Sequence, residues 1–177
     1  LRSTGNPLAD PTRLDRLINA ASSEYSKHSA LLAERQLSGF VRECHGDLHL
    51  ANIVRLESGL CAFDCLDCNE DLRRLDVMSD VAFLFMDCLV RGRRDLAYGF
   101  LDGYLDHSGD YQGAVLLPLF TGYRSMVRAK VAALRLQQAP NDTEAASQLH
   151  KYLDWSEHSS KASGALIVMN GVSGTGK

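Results

Sequence analysis

No stretch of this 177-residue chain approaches the roughly 18 uninterrupted apolar residues that a membrane-spanning helix needs. Leu1 to Asn19 lack the charged start and apolar run of a secretory leader. Insertion into or transport across a membrane is therefore not expected, and the sequence reads as cytoplasmic. An excess of either charge is also missing: 19 Lys plus Arg against 22 Asp plus Glu leaves a formal net charge of −3. That is too near zero for a nucleic-acid or anionic-membrane surface, and it points to a small-molecule partner. Proline is scarce at 4 residues, and no internal repeat or low-complexity tract occurs, which excludes collagen-like and disordered chains. The five cysteines are an odd number without a leader, which excludes a disulfide scaffold and implies reduced thiols.

What is present suits a folded core: 45% of residues are hydrophobic and 23% charged. At roughly 150 residues per domain, the length accommodates one domain and a little more. The chain opens on Leu1 in place of Met and stops at Lys177 inside a motif, so we expect a piece of a longer polypeptide.

Three cysteines, Cys61, Cys65 and Cys68, have the CxxxCxxC spacing with which radical enzymes using S-adenosylmethionine hold an iron–sulfur cluster. The run from Leu60 to Cys65 is apolar and reads as a strand, however. At about 3.3 Å per residue an extended Cys61 and Cys65 stand roughly 13 Å apart, too far to share one small cluster. Cys61, Cys65 and Cys68 are expected to be ordinary buried cysteines.

Asp10-Pro11-Thr12 opens a periodic stretch to about Leu37, one helix or two, ended by Ser38-Gly39. Phe40 to Cys44 is a short strand candidate, followed by the polar loop His45-Gly46-Asp47. Asn52 to Leu56 and Leu60 to Cys65 read as a hairpin around Glu57-Ser58-Gly59. From Leu75 the chain turns helical: Leu75 to Val90, Arg94 to Asp106, Ala114 to Gln137 and Asn141 to His158, the last with Asn141 and Glu144 as an N-terminal cap. Ser159 to Gly164 reads as a linker, and Ala165 to Asn170 as a final apolar strand.

A three-residue hairpin loop with Gly59 in the left-handed position would pair Leu56 with Leu60, Val54 with Ala62, and Asn52 with Asp64. Opposed residues of an antiparallel pair lie about 4.5 to 5.5 Å apart on one face, so an amide oxygen and a carboxylate would converge. Two hard oxygen donors suit Mg²⁺, which fills its octahedron with water and phosphate oxygens. Asp47, five residues before Asn52 on the loop entering the hairpin, is then placed to orient an acceptor hydroxyl and take its proton while the metal bridges ATP phosphates.

His-Gly-Asp-x-x-x-x-Asn followed by a strand-borne Asp resembles the catalytic segment of the aminoglycoside phosphotransferase-like kinases, a branch of the protein-kinase-like fold. The resemblance covers about Ser38 to Gln137. It implies that Asp47 is the catalytic base and that Asn52 and Asp64 are the metal ligands. It also matches Asp76-Val-Met-Ser-Asp80-Val-Ala82 to a helix start of the pattern Asp-x-x-x-Asp-Leu-Ala, with Val81 in place of Leu.

Other readings of the same segments are weaker. His45 and His49 have an i, i+4 spacing, but Gly46 stands where a zinc helix of the HExxH type has Glu, and His45 is expected to pack beneath the loop and orient Asp47. Asp67, Glu70 and Asp71 form a short acidic run that reads as solvated surface, and Arg91, Arg93 and Arg94 read as a helix end and a new start. Asn141-Asp-Thr143 has the form of a glycosylation acceptor without a leader to support it.

Gly171-Val-Ser-Gly174-Thr-Gly176-Lys177 matches seven of the eight positions of GxxxxGK[ST] and directly follows an apolar strand, the context of a P-loop. Backbone N–H groups of this loop would cradle nucleotide phosphates, and Lys177 would reach them.

These readings predict an α+β chain. Residues 1–158 would be the mostly helical C-terminal lobe of a kinase-like fold, 159–164 a linker, and 165–177 the start of a P-loop domain. The expected function is phosphoryl transfer from ATP, with Mg²⁺, to a hydroxyl of a small molecule, within a bifunctional protein. Kinase-like folds bind ATP between two lobes, and there is no room for an N-terminal lobe before Asp10, so little activity is expected from these residues alone. The alternative is a non-catalytic scaffold or regulatory module serving the P-loop domain.

Overall fold

A computed structural model of the chain describes residues 10–66 and 70–159. The linker, the apolar strand at 165–170, and Gly171, Gly174, Gly176 and Lys177 lie outside the described residues, as do Asp67 and Cys68.

The periodic stretch at the start is one helix, α1 (Pro11–Leu37). Asp10 caps it, its carboxylate accepting from Thr12 N–H at 3.0 Å, and Pro11 occupies the first turn, where its missing N–H costs nothing. Ser38 and the left-handed Gly39 (φ +80°) end it. A short strand β1 (Val41–Glu43) follows, then the loop from Cys44 to His49, one 3₁₀ turn (Leu50–Asn52), and the hairpin of β2 (Ile53–Leu56) and β3 (Gly59–Ala62). Beyond the hairpin lie the single-turn helix α2 (Glu70–Arg73) and a strand β4 (Arg74–Asp76). Four helices complete the fold: α3 (Val77–Val90), α4 (Arg94–Ser108), α5 (Leu117–Gln138), which a 3₁₀ turn at Gly113–Leu116 precedes, and α6 (Thr143–Ser159). The architecture is α+β, mostly helical with two small antiparallel sheets, β1–β4 and β2–β3. No helix among the described residues is long and apolar enough to cross a membrane.

Helix α3 is the axis of the molecule. Every residue from Met78 to Cys88 is buried, as expected of a helix apolar on all sides. Phe83 and Met86 enter the main core with Leu14 and Leu17 of α1, Ala129 and Ala133 of α5, and Leu149 and Leu153 of α6. Met78 and Val81 pack with Leu105 and Leu116, while Leu84, Phe85 and Cys88 pack around Ala97. Small alanines on α5 and α6 let those helices approach closely.

The structure corrects several expectations. The hairpin register is Ile53↔Ala62, Val54↔Cys61, Arg55↔Leu60 and Leu56↔Gly59, around a two-residue turn at Glu57-Ser58. This is one residue off the expected pairing, and a one-residue slip exchanges the faces of every side chain. Asn52 therefore does not face Asp64: its backbone carbonyl accepts from Phe63 N–H at 3.0 Å, and Asp64 comes one residue later. The α3 segment does not begin at Leu75, because Arg74–Asp76 pairs with β1 (Val41↔Asp76) and Asp76 becomes the helix cap. The cap of α6 is Asp142, whose carboxylate accepts from Ala145 N–H at 2.9 Å, and not Asn141. Cys61 is exposed on β3, and Cys44 and Cys65 are half-buried, leaving only Cys88 buried among the described cysteines.

Candidate active site

The loop between β1 and the hairpin carries Asp47, and α3 fixes that loop from below. Asp80, in the first turn of α3, accepts from the backbone N–H groups of His45 (2.8 Å) and Gly46 (3.0 Å) with one carboxylate oxygen. Its other oxygen faces Arg124 of α5 at 3.4 Å. Arg124 also donates to the Gly46 carbonyl (2.9 Å) and to Ser79 Oγ (3.1 Å), and lies over the Phe83 ring. Burial draws the Arg124 guanidinium below its ordinary pKa, with Asp80 opposing. A buried ion pair of this kind is tolerable only when its remaining donors and acceptors are satisfied, and here the loop backbone satisfies them. Gly46 has φ +83°, and a Cβ there would stand 2.9 Å from Leu66 Cδ1, so both conformation and space call for glycine.

His45 joins the loop to the exit of the hairpin. Its Nδ1 accepts from Asp47 N–H (3.4 Å), so the ring proton resides on Nε2, which donates to the Phe63 carbonyl (2.8 Å); its own carbonyl accepts from Leu66 N–H (3.1 Å). Asp64 is thereby held on a short clamped segment, exposed and in left-handed backbone (φ +59°). It is the one described non-glycine residue with positive φ, and such conformations persist where surrounding contacts impose them, commonly at functional positions.

His49 holds Asp47. Its Nδ1 accepts from Ala51 N–H (3.2 Å), which puts its proton on Nε2, 3.3 Å from Asp47 Oδ2. This hydrogen bond keeps the Asp47 carboxyl below the usual carboxylate range; burial opposes it, and the charges of Arg128 and Arg124 assist. Asp47 retains partial access to solvent, with 32% of its side chain exposed. Buried Asn52 donates from Nδ2 to the Asp47 carbonyl (3.0 Å) and to Asp47 Oδ2 (3.3 Å). With the amide nitrogen committed to Asp47, the amide oxygen is left for another partner.

Asp87, about two turns further along α3 than Asp80 and 1% exposed, receives Leu50 N–H (3.0 Å), the Tyr152 hydroxyl (3.0 Å) and Arg91 Nε (3.2 Å). Two acidic residues of one buried helix thus brace both ends of the segment from His45 to Asn52.

The structure therefore brings Asp47 and Asn52 into direct contact and sets Asp64 on the neighbouring strand exit. It also supplies what sequence reasoning missed: the tether from His49 to Asp47, the Arg124–Asp80 brace, and the role of Asp87. The signal for the two acidic residues was present, since carboxylates inside the apolar run from Val77 to Val90 must find donors. His49 carried no such mark, being one polar residue among several on a loop. His45 and His49 do not share a helix face, and their nitrogens serve separate partners.

No protein-family model matches the chain, and no solved structure matches it. Three curated relatives do match, each an uncharacterized protein: one from Mycobacterium bovis and two from strains of Mycobacterium tuberculosis. Each is 32% identical over all 177 residues. The chain spans about a third of their length (35%).

Proposed function

We propose that this chain carries the catalytic segment of a phosphotransferase of the aminoglycoside phosphotransferase-like, protein-kinase-like class, acting from ATP on a hydroxyl of a small molecule. The observation that carries the proposal is the pairing of Asp47 with Asn52: a solvent-reached carboxylate kept ionised by His49, beside an amide whose nitrogen is turned onto it. A base for a hydroxyl must be ionised, accessible and fixed in direction, and Asp47 meets each condition. Asn52 and Asp64 fit Mg²⁺ by donor chemistry: one free amide oxygen and one exposed carboxylate, both hard, on adjacent strand ends. These two residues would hold Mg²⁺, whose positive charge would offset the charge that develops during phosphoryl transfer.

The chain's own residues do the rest. Asp47 orients the acceptor hydroxyl and takes its proton; His49 holds the carboxylate's direction; Asp80 and Arg124 keep the loop from sagging. The sequence from Gly171 to Lys177 supports a second, P-loop nucleotide site, so the parent activity would combine two nucleotide-dependent units.

The metal site is tested by titrating the chain with Mn²⁺, a paramagnetic substitute for Mg²⁺, and following amide NMR signals. Broadening confined to residues 47–66 that Mg²⁺ reverses, and that Asn52→Ala and Asp64→Ala abolish, is expected. Broadening unaffected by either substitution would overturn the assignment.

A further inference from the structure

Arg128 of α5 reaches the same site through His49. Its Nη1 lies 3.3 Å from His49 Nε2, the nitrogen that also faces Asp47. Because Nδ1 of His49 accepts from Ala51, Nε2 carries the ring proton, and Arg128 there meets an N–H and not an acceptor. Its Nε is sealed from solvent and bonds to nothing. Its other neighbour is Tyr152, whose ring centroid is 5.7 Å away and whose hydroxyl oxygen accepts from Arg128 while giving its own proton to Asp87. The contrast with the molecule's other inward-facing arginines is sharp: Arg35 pairs with Asp76 and Asp110, and Arg124 pairs with Asp80. Among the described residues no carboxylate lies within ion-pair distance of Arg128, although it is half-buried. Buried or partly buried donors of an always-charged group require acceptors, and the one found here, the neutral Tyr152 hydroxyl oxygen, leaves Nε unbonded and the charge without a counter-ion in contact.

Resting on the phosphotransferase reading, we propose that Arg128 is a specificity-determining residue that receives an anionic group, carboxylate or phosphate, of the acceptor molecule whose hydroxyl Asp47 takes. Its planar fork matches either anion. The substrate class is then a hydroxy acid or a phosphorylated alcohol. A neutral or cationic alcohol would leave Arg128 as it stands, without an anionic partner.

Calorimetric titration of the 177-residue chain with glycerol 3-phosphate, glycerate and glycerol tests this without requiring turnover. At least one anionic probe should bind ten-fold or more tightly than glycerol and shift the His49 ring resonances, which glycerol should not do. Arg128→Gln should abolish the preference. Tight binding of only one anion identifies the group as phosphate or as carboxylate. Equal binding of all three probes, or a preference that survives Arg128→Gln, overturns the proposal; should that variant not fold, the wild-type comparison of the three probes decides alone. Phosphoryl transfer that depends on Asp47 without anion preference would remove only this inference. Anion preference with transfer indifferent to Asp47 would remove the kinase reading and leave the anion site standing.

Discussion

Asp47 and His49 work as a pair. Because the His49 N–H bond favours the charged form of Asp47, the base is ionised throughout the neutral range, and transfer should decline only as the pH falls through a value below the usual carboxylate range. His49→Leu removes the donor and raises that pKa, so the acid limb of kcat/KM moves to higher pH while the neutral plateau is reduced. A limb that stays in place would contradict the tether. Asp47→Ala should lower kcat by about 10²- to 10⁴-fold, the usual worth of a positioned base, with little change in nucleotide affinity. At this scale the sequence was informative where the chemistry is local: Asp47 and Asn52 are five residues apart, and the turn between them is short. It was less informative for Asp64, whose position depends on hairpin register. Glu57-Ser58 turns the chain in two residues where three were expected, and that single residue decides which side chains face each other.

Helix α3 shows why buried carboxylates should be read as braces. Asp80 serves two backbone N–H groups and Arg124, so Asp80→Ala leaves a buried guanidinium and two loop amides without their acceptor. We expect a loss of about 3–5 kcal/mol in chemical denaturation, the range found when one partner of a buried pair is removed. The strand before α3 could not have been foreseen from its own residues. Arg74-Leu75-Asp76 is too short and too charged to signal a strand, and it exists because Val41 to Glu43 offers an antiparallel partner far back along the chain. The helices themselves were legible because their apolar spacing is a property of each segment alone. Their caps were not always so: Asn141 and Asp142 are both competent by type, and only the geometry of the preceding turn selects Asp142.

The whole molecule is closed by the triad of Arg35, Asp76 and Asp110, which joins the end of α1, the start of α3 and the turn after α4. Arg35 bonds Asp76 at 2.7 and 2.8 Å and Asp110 at 2.6 and 2.8 Å, and all three are buried. Gly113 fits beneath it because a Cβ would stand 2.5 Å from Asp110 Oδ2. Arg35→Met would strand two buried carboxylates and should cost about 3–5 kcal/mol. Burial opposes ionisation of Asp110, but hydrogen bonds from Arg35, Gly113 N–H and Tyr104 outweigh it and leave its pKa below the ordinary value of an aspartate. Its contribution is therefore present above that value and is lost as the pH falls through the lowered one. Denaturation midpoints should be flat near neutrality and drop below about pH 4, and the drop should flatten in Asp110→Asn. The central claim concerns Asp47, and its most direct test is transfer of the γ-phosphoryl group from radiolabelled ATP to a panel of hydroxyl compounds by the longest natural form of the chain, comparing Asp47→Ala with Lys177→Ala. Asp47→Ala is expected to abolish hydroxyl phosphorylation while Lys177→Ala spares it. Transfer left intact by Asp47→Ala but abolished by Lys177→Ala would contradict that claim.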